Sequence, residues 1–165
     1  MIKRKYPFLL IITLLILILD QWTKYLVQKR LRLFQSVEVI EGFFNLVHVR
    51  NKGGAFGIFG GARGELFSSL FIVVSLIAIG VILYFFIKVE EKEKSLLFSL
   101  SLVLSGAIGN LIDRFIYGEV VDFLDFHLFS YHWPAFNIAD SAITLGIGLI
   151  AFKLVFHDYK KTTKS

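Results

Sequence analysis

The 165-residue chain has no cysteine and only two prolines, and charged residues make up just 19% of it. Without cysteine there can be no disulfide, no thiolate nucleophile and no cysteine metal site, so redox compartment cannot be read from the sequence. With so little charge the chain cannot cover itself as a soluble domain does: 56% of its residues are hydrophobic and 16% aromatic. It reads as an integral membrane protein, one domain over residues 1–165. The net charge of +5 is not gathered into one face or tail, which excludes nucleic acid as a partner.

Four stretches are long and apolar enough to span, near residues 7–26, 66–87, 95–112 and 133–155. The first follows Lys3, Arg4 and Lys5 as a secretory signal would, but no small-x-small cleavage site follows, and Asp20-Gln21-Trp22-Thr23-Lys24 continues in helical register. An even number of spans puts both termini on one side. The lysines at 3–5, 88–94 and 160–164 mark that side as cytoplasmic. Trp22, Tyr25 and Trp133 then fall at the outer interface, and Tyr6, Tyr84 and Tyr159 at the inner one. The fold class expected is all-α with four transmembrane helices and, between the first two, a small extracytoplasmic hairpin or cradle. There Phe44 to Arg50 alternates, Asn51-Lys52-Gly53-Gly54 supplies a turn, and Ala55 to Phe59 forms the returning arm.

Polar residues gather beside the outer ends of the spans, where charge next to hydrocarbon is expensive and marks a functional site. Asp20 and Lys24 lie four apart and can pair on one helix face. Ser101, Ser105 and Gly109 form a small-residue stripe that continues into Asn110, Asp113 and Arg114. Asp113 and Arg114 read as a structural ion pair tying the third helix to the loop that follows. Asn137 is a natural N-cap, with Asp140 in the first turn of the last helix, where the dipole favours negative charge.

Peptide hydrolysis needs an activated water and a polarised carbonyl, and two carboxylates sharing a proton can supply both. Asp122, in the extended run Val120-Val121-Asp122-Phe123, and Asp140 are the candidate pair. By spacing alone each is equally a cap or a surface carboxylate. Asp125, without polar neighbours in sequence, is not included. No HExxH or GxSxG motif occurs, and His48, His127, His132 and His157 have no ligand-like spacing, so neither metal nor cofactor is expected. A small transporter with a carboxylate path, or a non-catalytic assembly subunit, would use the same polar stripe differently.

Five segments in order, Asp20-Gln21-x-Thr23-Lys24, Arg50-Asn51-x-Gly53-Gly54-Ala55-Phe56, Gly106-Ala107-x-Gly109-Asn110-x-x-Asp113-Arg114, Val120-Val121-Asp122-Phe123 and Phe136-Asn137-x-Ala139-Asp140-Ser141, resemble the motifs of bacterial lipoprotein signal peptidases. The resemblance implies an inner-membrane aspartyl endopeptidase that removes signal peptides from diacylglyceryl-modified prolipoproteins, cutting on the N-terminal side of the lipidated cysteine. It implies Asp122 and Asp140 as the catalytic dyad near the outer leaflet. Asp20, Lys24, Asn51, Gly53, Gly54, Asn110, Asp113, Arg114, Asn137 and Ala139 match residues lining or supporting the site. The expected partners are lipidated prolipoprotein signal peptides and membrane lipid, met by a monomer. Gly54 stands where the family more often has Ala, and residues 123–133 follow no motif.

Overall fold

The computed structural model describes residues 4–52 and 64–162. Four helices, α1 (Lys5–Arg30), α2 (Gly64–Lys88), α3 (Lys94–Tyr117) and α4 (Ile138–Thr162), are joined by β1 (Ser36–Ile40), β2 (Phe44–Asn51), β3 (Val120–Leu128) and β4 (Tyr131–His132). Each helix contains a window long and apolar enough to cross a bilayer. Gly53, Gly54 and the returning arm 55–59 lie outside the described residues.

α3 is the central helix, and most of its length is buried. Small residues let its neighbours approach closely, as van der Waals packing in lipid requires. A Cβ placed on Gly106 would lie 2.2 Å from the Ala139 carbonyl oxygen of α4, and one on Gly109 would lie 2.7 Å from Asp20 Oδ2 of α1. No larger side chain fits either place, so these glycines fix how closely α1 and α4 seat against α3. At the other end of the bundle the buried Lys5 Nζ donates to the carbonyls of Phe86, Ile87 and Val89 at 3.2, 2.7 and 2.8 Å. The first two are C-terminal carbonyls of α2, which lack helical partners and sit at the negative end of its dipole, and the third belongs to the residue just past its end. Lys5 thus clamps the start of α1 to the end of α2.

The all-α expectation needs correcting. The strands form one antiparallel sheet in the order β1-β2-β3-β4. β2 begins where the alternating pattern predicts, but its described partners are β1 and β3. Residues 123–133, without a motif, supply most of β3 and all of β4. The polar end of the third span is likewise helical: α3 runs past Asn110, Asp113 and Arg114 to Tyr117. It stops because Gly118 adopts φ 72°, the left-handed C-cap conformation, and returns its N–H to Arg114 O at 3.0 Å. Two residues later β3 begins, so this cap aims Asp122. α4 starts at Ile138 and not at Trp133, because Phe136 is held in strand-like bonds to Leu124 in both directions, at 2.8 and 3.0 Å.

Candidate active site

Asp122 lies on β3 opposite Val49, beside a bulge in β2 between Leu46 and Val49. Such a bulge bends the strand and re-aims neighbouring side chains. The Asp122 carboxylate is 2% exposed. Its Oδ1 accepts from Asn137 Nδ2 at 2.8 Å and its Oδ2 from Asn51 Nδ2 at 3.0 Å. Burial pushes its carboxyl from the ordinary 3.8 up to about 7; the bond from Asn51 opposes this and the neighbouring Asp140 charge adds to it.

Asp140 occupies the first turn of α4. Asn137 caps that helix reciprocally: its Oδ1 accepts the Asp140 N–H at 2.9 Å, and its own N–H donates to Asp140 Oδ2 at 3.3 Å. The other oxygen, Oδ1, accepts from Asn110 Nδ2 at 2.7 Å. One asparagine therefore bonds both carboxylates, its side chain reaching Asp122 and its backbone Asp140. Asn137 also donates to Asn110 Oδ1 at 3.1 Å, which closes the circuit.

Behind this pair lies a buried charge cluster. Lys24 Nζ pairs with Asp20 Oδ2 at 2.8 Å and Asp113 Oδ2 at 3.0 Å, and donates to Asn110 Oδ1 at 3.1 Å. Asp20, Lys24 and Asp113 are each at most 1% exposed. Buried charges persist where every one is paired and hydrogen-bonded, and removing one partner typically costs about 3–5 kcal/mol. The expected Asp20–Lys24 pair thus forms, buried inside the protein. The expected Asp113–Arg114 pair is replaced. Asp113 does tie α3 to the following segment, by accepting the Val121 N–H at 3.0 Å, but its cation is Lys24. Consecutive residues on a helix point some 100° apart, so Arg114 turns instead over the Phe71 ring, 5.6 Å from its centroid.

The structure brings Asp20, Lys24, Asn51, Asn110, Asp113, Asn137, Ala139, Asp122 and Asp140 into one connected network. Ala139 enters through its N–H, given to Asp20 Oδ1 at 2.9 Å, and through its fully buried methyl against α3. Gln21, present in the sequence pattern but given no role, also belongs: its amide donates to Asp20 Oδ2 and Asp113 Oδ1 at 3.1 and 3.0 Å. Its position three residues before Lys24 on α1 was the available signal. Asp125, left out on sequence grounds, is buried between Asn45 and His132, at 3.1 and 3.0 Å, away from this network. Among the described residues no group of three or more His, Asp or Glu side chains is placed to hold a metal ion.

The arrangement offers two neighbouring carboxylates, Asp122 buried and Asp140 half-buried, each held by two N–H donors, at the end of a membrane bundle. The family described as signal peptidase (SPase) II matches residues 12–156. The chain is 47% identical over 149 residues to the lipoprotein signal peptidase of Desulforapulum autotrophicum, covering 90% of this chain and 92% of that protein. It is 49% identical over 156 residues to the lipoprotein signal peptidase of Maridesulfovibrio salexigens, covering 94% and 97%. A bacterial membrane enzyme solved by the in meso method superposes with a TM-score of 0.83 at 37% identity, over 94% of this chain and 92% of that one.

Proposed function

The chain belongs to the signal peptidase II family, and from that membership we propose that it is a multi-pass bacterial inner-membrane peptidase that cleaves lipoprotein signal peptides with Asp122 and Asp140 as its catalytic pair. The observation that carries the proposal is Asn137, which holds one carboxylate by its side chain and the other by its backbone. Asp122, retaining a proton to about pH 7, donates to the scissile carbonyl oxygen. Asp140, at the positive end of α4 with two N–H donors, takes the proton from the attacking water. No metal or cofactor takes part. A diacylglyceryl-modified cysteine keeps the substrate in the outer leaflet, where its scissile bond meets the pair, and a monomer suffices. Purified protein should cleave a diacylglyceryl-modified precursor in excess chelator and leave the unmodified precursor intact. Equal cleavage of both would refute the lipid requirement, and loss of activity on chelation, restored by one added ion, would refute the carboxylate pair.

The same reading orients the bundle. Both termini and the Lys88–Lys94 turn face the cytoplasm, because the lysines there are held inside. Single cysteines introduced at Lys92 and at the exposed Tyr131 of this cysteine-free chain should label from opposite sides with an impermeant maleimide. Labelling of both from one side would overturn the orientation.

A further inference from the structure

We propose that Lys24 is a positioning residue for the hydrolytic step, setting the orientation of both carboxylates through two oriented amides and two backbone grips. The inference rests on the assignment of Asp122 and Asp140 proposed above. Lysine's ammonium has three donors and no acceptor, and all three are used here, on Asp20, Asp113 and Asn110. The donor on Asn110 decides which way that amide faces. Asn110 Oδ1 accepts from Lys24 Nζ and from Asn137 Nδ2, both at 3.1 Å. A flipped amide would set NH2 against two donors, so Nδ2 is compelled toward Asp140 Oδ1, which it reaches at 2.7 Å. Asn137 is oriented in turn: with Nδ2 on Asn110 and Asp122, its Oδ1 is free to take the Asp140 N–H at 2.9 Å.

The two carboxylates paired with Lys24 act on the backbone. Asp113 Oδ2 accepts the N–H of Val121, the residue before Asp122, at 3.0 Å. Asp20 Oδ1 accepts the N–H of Ala139, the residue before Asp140, at 2.9 Å. One ammonium thus fixes, through its counterions, the peptide that leads into each candidate catalytic residue, and, through Asn110, the side-chain donors that meet them. A cation needed only for charge balance would require neither the Asn110 bond nor this paired placement.

Two variants separate positioning from charge balance. Lys24→Arg keeps the charge but replaces a compact three-donor head by a planar fork. The triple variant Asp20→Asn, Lys24→Met, Asp113→Asn is neutral and keeps an acceptor for each backbone N–H. Folding is read by thermal melting, and cleavage of a diacylglyceryl-modified precursor by kcat, KM and the pH profile. We expect both proteins to lose about 10- to 100-fold in kcat, as a misplacement of ~1 Å produces. KM should stay within about threefold, and the pH limb attributed to the pair should move in the triple variant. A folded triple variant with kcat within threefold of wild type and an unmoved pH profile would overturn the proposal and leave Lys24 a charge-balancing role. So would failure of both variants to fold. Asp140→Asn is run alongside: if that variant is active, it is the assignment of the pair that fails, whereas an inactive Asp140→Asn beside active Lys24 variants refutes only the positioning role.

Discussion

Asp122→Asn and Asp140→Asn should each lower turnover at least about 100-fold, and the double variant should be scarcely worse than either alone. A general acid or base typically contributes about 10²–10⁴-fold, and groups that act as a unit do not contribute additively. Here the unit is visible in the bonding: Asn137 touches both carboxylates and Asn110, and Asn110 touches Asp140, so neither carboxylate is held independently. An amide at either position keeps the shape of the site, and binding of an uncleaved lipidated peptide should persist. The pH profile belongs to the pair as a whole. With the Asp122 carboxyl raised to about 7, the last proton leaves the pair near neutrality and the rate should fall as pH rises beyond it. The prediction fails if either single variant keeps more than about a tenth of wild-type turnover, well above the smallest loss expected for a missing acid or base.

How far the site could be read from sequence follows from which contacts are local. Asn137 as a cap and Asp140 in the first turn are three residues apart, and helix geometry alone forecasts their bonds. The stripe ending in Gly109 and Asn110 forecasts a close approach by helical spacing, and Gly109 does face Asp20 and Ala139. The sheet was less legible. The Asn51–Gly54 turn signal concerns a returning arm that lies outside the described residues, and β2 pairs with β3 far along the chain, a partner that no local pattern encodes. Charge was misleading twice. Asn110, Asp113 and Arg114 suggested the end of the third span, although polar residues facing a protein interior interrupt no helix. Adjacent opposite charges suggested Asp113–Arg114, although neighbours on a helix diverge and the interior supplied Lys24. Asp125 shows the converse. Its neighbours in sequence are apolar, and its partners Asn45 and His132 reach it only through strand pairing.

Asp122→Asn should also change how stability depends on pH, and in the opposite sense to its effect on activity. A carboxyl whose folded-state value lies above its unfolded value binds its proton more tightly in the native state. Wild-type stability is therefore greatest below about pH 4 as far as this group is concerned, and is lost progressively as pH rises through about 7. The span from 3.8 to about 7 corresponds to on the order of 4 kcal/mol between those limits. The physical cause is the burial of a group that must ionise among Val121, Phe123 and the helix ends, where the amides of Asn51 and Asn137 replace only part of the water it loses. An amide cannot ionise and escapes this loss. It does turn one N–H toward a donor that the carboxylate accepted, a pH-independent penalty of about 1–3 kcal/mol. The slope is thus the readout: melting of the purified protein at steps between pH 5 and pH 8.5 should show the variant gaining on wild type throughout, with most of the gain complete by about pH 8. A difference that stays constant over that range, or grows in favour of wild type, would show that Asp122 does not enter the native state as a protonated acid. Coupled to the loss of turnover, a rising relative stability would mark Asp122 as a residue kept at a stability cost for the reaction it performs.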